Sequence, residues 1–158
     1  MDSRRVTSNR YSTLLGNIHP MPIAYHIMLP THQRTKFFGA ESNCNDLAYL
    51  LFETSALHGF SLFAFCIMPD HVHILCQPGD IMVNHFINLI RMRYEYLMAR
   101  GGNNSPIWQP DFLERPLIDT EVVPTAVFIF ENPKRAGIIE DAYAYPFSYI
   151  YGGKKYRP

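Results

Sequence analysis

The stretch from Ser61 to Gln77 constrains this chain more than any other. Ser61 to Ile67 is apolar and aromatic, the composition of a buried strand. Met68-Pro69-Asp70 follows, and proline and aspartate favour a turn. His71 to Gln77 then reads as a second strand, stopped by Pro78-Gly79-Asp80. The two strands predict a hairpin. Residues two apart in a strand point to one face. His71 and His73 therefore project together, while Val72 and Ile74 point into the core. Two adjacent imidazoles can share one divalent metal, with a third ligand supplied from another element. Such a metal would polarise a phosphate as a phosphodiester is attacked. For a bare His-x-His, the blander reading is two half-exposed histidines on a sheet surface.

The rest of the pattern places this hairpin in a fold. An apolar, partly alternating stretch predicts a strand from Ile23 to Leu29, after a loose arm of 20 residues. Gly39 to Asn45 reads as a polar connection. Asn45 to Leu57 then reads as a helix with Leu47, Leu50, Leu51, Thr54 and Leu57 in one stripe and Gly59 just past its end. Val83 to Arg100 is the longest helix, with Phe86, Leu89, Ile90, Tyr94 and Leu97 on one face, and Gly101-Gly102-Asn103-Asn104 breaks it. Phe112 to Ile118 reads as a strand. Asp119 is placed to cap a last helix, which takes Pro124 in about its first turn and reaches Asn132-Pro133. The tyrosine-rich tail from Ala142 packs in part. The order β-α-β-β-α-β plus a final helix predicts an α+β fold, a ferredoxin-like antiparallel sheet with helices packed on one face. The expectation is one domain over residues 1–158, with a core of about 23–148, an arm of 1–20 and a tail of 149–158.

Composition narrows the class. Of 158 residues, 47% are hydrophobic and 18% charged, an ordinary globular balance. No apolar run is long enough to span a bilayer, and the polar N-terminus lacks a signal-peptide core, so a cytoplasmic protein without a membrane partner is expected. Cys44, Cys66 and Cys76 are odd in number and far apart, and read as reduced, partly buried thiols. The net charge is zero, yet basic residues cluster. They gather at Arg4, Arg5 and Arg10, at His32 to Lys36, at Arg91 and Arg93, at Lys134-Arg135, and at Lys154-Lys155-Tyr156-Arg157. A neutral total can conceal one basic face; a scattered, solvated surface is the plainer reading.

Met68-Pro69-Asp70-His71-Val72-His73 resembles the signature of the HUH single-tyrosine transposases, which include insertion-sequence enzymes and the REP-associated tyrosine transposases. The resemblance extends from about Tyr25 to Ser148. Tyr25-His26-Ile27 fits the family's early strand. Ile107-Trp108-Gln109, with Asp111-Phe112 after it, is similar to its Trp-Gln segment. Phe128 to Gly137 is similar to its Tyr-Ile-x-x-Asn-Pro-x-(Lys/Arg)-Ala-Gly helix, and Tyr145-Pro146-Phe147-Ser148 to the Tyr-Pro-Trp-Ser that follows. Several motifs in order make this far more specific than the histidines alone.

The resemblance implies an antiparallel ferredoxin-like sheet and a reaction. A tyrosine on the last helix attacks single-stranded DNA, forms a 5′-phosphotyrosine and releases a 3′-hydroxyl. Magnesium or manganese is held by His71, His73 and a polar residue one turn past the tyrosine, here Asn132. Residues at i and i+4 share a helix face, which suits that spacing. Some relatives assemble a composite site as a homodimer and others act as monomers. The chain departs from the pattern at Phe128, where the nucleophile belongs, because phenylalanine has no hydroxyl. Leu113-Glu114-Arg115 also replaces a His-Asp-His type segment. The expected function is a transposase-like protein binding single-stranded or hairpin DNA, with cleavage impaired. Arg34, Lys36, Arg91, Arg93, Lys134 and Arg135 are the candidate phosphate contacts. The alternatives are an active nuclease using a displaced tyrosine, with Tyr94, Tyr96, Tyr143 and Tyr145 as the options, or a domesticated module for nucleic-acid or protein binding.

Overall fold

A computed structural model describes residues 22–153. Arg4, Arg5, Arg10 and the basic cluster from Lys154 to Arg157 lie outside the described residues. The elements in chain order are β1 (Ala24–Pro30), α1 (Glu41–Leu57), β2 (Ser61–Met68), β3 (His71–Gln77), α2 (Val83–Arg100), β4 (Leu113–Leu117), α3 (Asp119–Phe130), α4 (Asn132–Arg135) and β5 (Ser148–Ile150). The strands form one antiparallel sheet in the order β4-β1-β3-β2-β5. β3 is inserted between β1 and β2, the split βαβ arrangement that the element order predicts.

The hairpin closes through Pro69-Asp70, with Met68 paired to His71. Farther along, the register slips: Leu62 pairs with Cys76 but Ala64 pairs with Leu75. This bulge reverses the facing of β2 at Phe63. Beyond it, Phe65 and Ile67 face one core while Ala64, Cys66 and Met68 face the other. The first core joins Ile27, Leu29, Val72 and Ile74 to α1 and α2 through Leu47, Leu51, Phe86, Ile90 and Tyr94. The second joins Ala24, Cys66, Leu75 and Leu117 to α3 through Ala126 and Ile129. The two long helices thus share one face, but α3 covers the other, so the helices do not all pack on one face as the sequence predicts. Coverage on both sides explains why β2 and β3 are apolar almost throughout.

Several boundaries differ from the sequence expectations. α1 begins at Glu41, inside the stretch read as a connection, and buries Cys44 in its first turn. Glu41 suits that position because a carboxylate complements the helix N-terminus. Leu57 and Leu97 fall outside their stripes and are exposed; the buried stripe of α2 is Val83, Phe86, Ile87, Ile90 and Tyr94. Asp119 does not cap α3. The Ile118 N–H donates to the Glu121 carboxylate at 3.0 Å, because a glutamate three residues into a helix can reach back to its start. Pro124 sits in the second turn of α3 rather than the first. That helix stops at Phe130, and Asn132-Pro133 opens the separate α4, consistent with a proline that has no N–H to continue the ladder. The three cysteines are fully buried, and burial pushes the Cys44 and Cys76 thiols up to about 12.

β5 has no counterpart in the sequence reading. It forms because Tyr145 anchors the tail: its buried hydroxyl donates to the Ile67 carbonyl at 2.8 Å, and the Ile67 N–H donates to the Phe147 carbonyl. At the opposite end of β2, Gly79 lies against the turn that follows α1. A Cβ at Gly79 would stand 1.8 Å from the His58 carbonyl oxygen, whereas at Gly39 it would meet nothing within 4 Å. Gly79→Ala is expected to lose about 3 kcal/mol in urea denaturation. Gly39→Ala should stay within about 0.5 kcal/mol of wild type. Equal midpoints for the two variants would show that the close approach at Gly79 relaxes freely.

Candidate nucleic-acid site

His71 opens β3 and His73 follows two residues later, so both project onto the α3 face, as the alternation predicts. Their ring centroids are 4.9 Å apart and nearly perpendicular. His73 is only 6% exposed. His26 on β1 reaches it diagonally across the sheet, with 3.0 Å between His26 Nε2 and His73 Nδ1. Asp70, in the hairpin turn, holds His71 Nδ1 at 2.7 Å through Oδ1. Arg34 lies 3.6 Å from the other carboxylate oxygen. Each member of the pair therefore has Nδ1 engaged. The Nε2 atoms have no hydrogen-bond partner among the described residues.

The loop that carries Arg34 is held in an unusual backbone. Gln33 and Arg34 both have positive φ, 51° and 56°, a conformation that costs non-glycine residues free energy. Buried Thr31 fixes the loop to the hairpin turn, donating its hydroxyl to the carbonyls of Thr35 and Asp70.

Electrostatics keep the two inner rings neutral. Burial, then the neighbouring His71, His26 and Arg34, hold His73 down at about 3. Burial and the Arg115 charge hold His26 down at about 4. Two neutral rings sharing one hydrogen bond must be opposite in tautomer at the shared nitrogens, one protonated and one not.

Phe128 on α3 reaches this cluster. Its ring lies edge-on to His73 at 6.0 Å and to His26 at 6.3 Å, and it is 39% exposed. The Arg135 guanidinium sits 5.3 Å from its centroid. Asn132 does not share a continuous helix with Phe128, since α3 ends between them. No hydrogen bond among the described residues joins Asn132 to a histidine. No three His, Cys, Asp or Glu side chains among the described residues gather as a metal-binding group.

Of the predicted basic residues, Arg34 and Arg135 are at the cluster. Lys36 shares the loop of Arg34, and Lys134 lies exposed on α4 beside Arg135. Arg91 and Arg93 are elsewhere. They stand mid-way along α2, on the opposite face of the sheet, and are occupied structurally. Arg91 donates to the Gln109 and Pro110 carbonyls, and Arg93 to Glu53 and Thr54. Their place on an amphipathic helix gave no hint of which sheet face that helix covers.

Sequence reasoning missed two residues as site members. His26 was legible as a polar ring inside an apolar strand. Arg115 is paired across the sheet with His26 and lines a cleft of about 360 Å3 with it, Pro124, Thr125 and Phe128. Two tyrosines weighed as substitute nucleophiles are committed. Tyr94 is buried in the first core and donates to the Asn43 carbonyl, and Tyr145 donates to Ile67. Burial pushes both hydroxyls above the usual tyrosine range.

The buried rings set a pH dependence for the metal-free protein. Both folded values lie below the ordinary imidazole value of 6.5, so the unfolded chain binds more protons below that pH. Stability is then full above pH 6.5 and falls as the pH drops. The loss approaches about 1.4 kcal/mol per pH unit for each histidine. Thermal melting in chelator between pH 6.5 and 5 should show this, and His26→Gln should roughly halve the slope. An unchanged slope would assign the effect to other groups.

Residues 21–115, more than half of the chain, match the family described as transposase, IS200-like. The matched segment contains His26, His71 and His73 and ends before Phe128. A Haemophilus influenzae protein provisionally assigned as a REP-associated tyrosine transposase is 25% identical over 137 residues, covering 78% of this chain and 77% of that protein. Among solved structures, a REP-associated tyrosine transposase bound to a REP hairpin superposes with a TM-score of 0.67 at 18% identity, over 84% of this chain and 79% of that one. A provisionally assigned transposase from Deinococcus radiodurans gives 0.52 at 19% identity, over 74% and 95%. At these identities the two structures speak for the fold. The family match, made on the segment that holds all three histidines, places this chain in the IS200-like transposase family.

Proposed function

We propose that this chain binds single-stranded or hairpin DNA on the histidine face of its sheet, as a single-domain, cytoplasmic, transposase-like protein whose strand cleavage is impaired. The observation that carries this reading is the packing of Phe128 against His73 and His26. Residue 128 reaches His73 and His26 from α3, where a helix-borne nucleophile would act, and it offers no hydroxyl. The solved relative bound to a REP hairpin supports hairpin DNA as the ligand. Arg34, Lys36, Lys134 and Arg135 would neutralise its phosphates. Arg91 and Arg93 are left out because of their position.

The donor set fits a divalent metal. Ligand histidines commonly engage their second ring nitrogen with a carboxylate or another acceptor, as Asp70 and His26 do here. A neutral His73 has a lone pair to give. His71 and His73 would hold magnesium or manganese through Nε2, with the Asn132 amide oxygen as third ligand. The metal would supply charge stabilisation at a phosphodiester oxygen. In that state His73 carries its proton on Nδ1 and donates to His26 Nε2, and His26 carries its own proton on Nδ1. No helix among the described residues is long and apolar enough to cross a membrane.

The test is covalent trapping. Wild type and Phe128→Tyr are incubated with a pool of hairpin DNAs bearing single-stranded flanks and manganese, then resolved under denaturing conditions. A protein–DNA adduct in the Tyr variant alone is the expected result. An adduct with wild type would overturn impaired cleavage and locate a displaced nucleophile. If neither forms an adduct although both bind the DNA, the assignment of residue 128 fails and a non-catalytic binding module takes its place.

A further inference from the structure

We propose that the cleft beside the histidine pair is a phosphate subsite, built by Arg115, Thr125 and His26, that takes a backbone phosphate of a single DNA strand. The inference rests on the proposed function and adds to it a binding residue set outside the metal ligands.

The cleft lies where β4, β1 and α3 meet. Arg115 pairs with His26 in the sheet register, so both side chains share the α3 face. The Arg115 guanidinium donates to Thr125 Oγ1 at 3.2 Å and to Glu121 Oε1 at 3.1 Å. A guanidinium has five N–H donors, so the two bonds leave others unspent. Thr125 is only 6% exposed, and its hydroxyl accepts from Arg115. That hydroxyl's own proton has no acceptor among the described residues, which leaves it free to donate to a group entering the cleft. His26 adds a third group, with Nε2 spent on His73 and Nδ1 remaining. Phe128 forms an apolar wall, and Arg135 brings a second guanidinium to that ring. Donors with an adjacent positive charge are the chemistry that fits a phosphate oxygen.

Glu121 is the competitor built into this arrangement. One carboxylate oxygen pairs with Arg115 while the other accepts from the Ile118 N–H at the start of α3. It can give up Arg115 to an incoming phosphate and still cap the helix. Replacing its charge but not its capping oxygen should therefore favour the ligand.

Fluorescence anisotropy of a labelled DNA hairpin with a single-stranded flank, in chelator and across about 50 to 200 mM salt, reads the subsite directly. Arg115→Met should weaken binding about 5- to 10-fold at low salt and reduce the salt slope by about one. Arg115→Lys should keep the slope while binding more weakly. Thr125→Val should cost about threefold with the slope unchanged, and Glu121→Gln should tighten binding about threefold. Melting curves for each variant establish that it is folded. In parallel, inorganic phosphate is titrated into labelled protein and followed at the Thr125 amide by NMR. If wild type binds DNA and folded Arg115→Met has the same affinity and slope, the subsite is overturned and the proposed function stands. If wild type fails to bind DNA, yet phosphate shifts Thr125 in an Arg115-dependent way, the cleft takes free phosphate and the DNA reading falls. If neither ligand binds, both are wrong.

Discussion

The hydrogen bond between His26 and His73 is what allows a polar ring to sit inside the second core. An imidazole buried to 6% exposure would be costly if its nitrogens had no partner. The partner comes from the adjacent strand, through a register that sets His26 opposite Leu75 and Met28 opposite His73. That register brings β1 and β3 together diagonally at the rings. A second register, between β1 and β4, sets Arg115 opposite His26 on the other side. Burial, then the neighbouring His71, His26 and Arg34, keeps His73 neutral, while the bond to His26 occupies Nδ1 and leaves Nε2 for a further partner. Stability and site geometry therefore depend on how β1 aligns with both of its neighbours.

How much of this was legible depends on the range of the interaction. β3 and α2 match their expected bounds residue for residue, because a short apolar run between Pro69-Asp70 and Pro78-Gly79 and an 18-residue amphipathic helix ending in Gly101-Gly102 are local signals. The shared facing of His71 and His73 followed from alternation within one strand. The bulge at Phe63 was not legible, because it is a property of a strand pair. β5 was hidden for a similar reason: three residues give no periodicity, and the strand is defined by Tyr145 and Phe147 reaching back to Ile67. Arg91 and Arg93 show the limit for charge. A sequence reveals that cations cluster on a helix, but only packing reveals that the helix lies on the far face and that Glu53 already answers one of them.

Covering both faces of the sheet divides the molecule into two kinds of interior. The face under α1 and α2 holds the larger aromatic cluster, including Phe38, Phe65, Phe86, Tyr94 and Trp108. It behaves as an ordinary core. The face under α3 is smaller, mixing Ala24, Ala64, Cys66 and Ala126 with the histidines. Small residues there let a single helix approach the sheet closely and place Phe128 against the rings. A chemistry-bearing face can be thinly packed because the opposite face supplies most of the buried apolar area.

Under the proposed function, phenylalanine at position 128 removes reactivity without disturbing this architecture. Phenylalanine and tyrosine share the ring that contacts His26, His73 and Arg135, and at 39% exposure the hydroxyl is not needed to satisfy a buried neighbour. The edge-on contacts and the cation over the ring persist in either case. On that reading a side chain without a hydroxyl offers no nucleophile at this position, while the histidine pair, the strained Arg34 loop and the Arg115 cleft stay in place. What would remain is a surface organised to hold DNA with no group to attack it, a state that the physics of the fold neither penalises nor repairs.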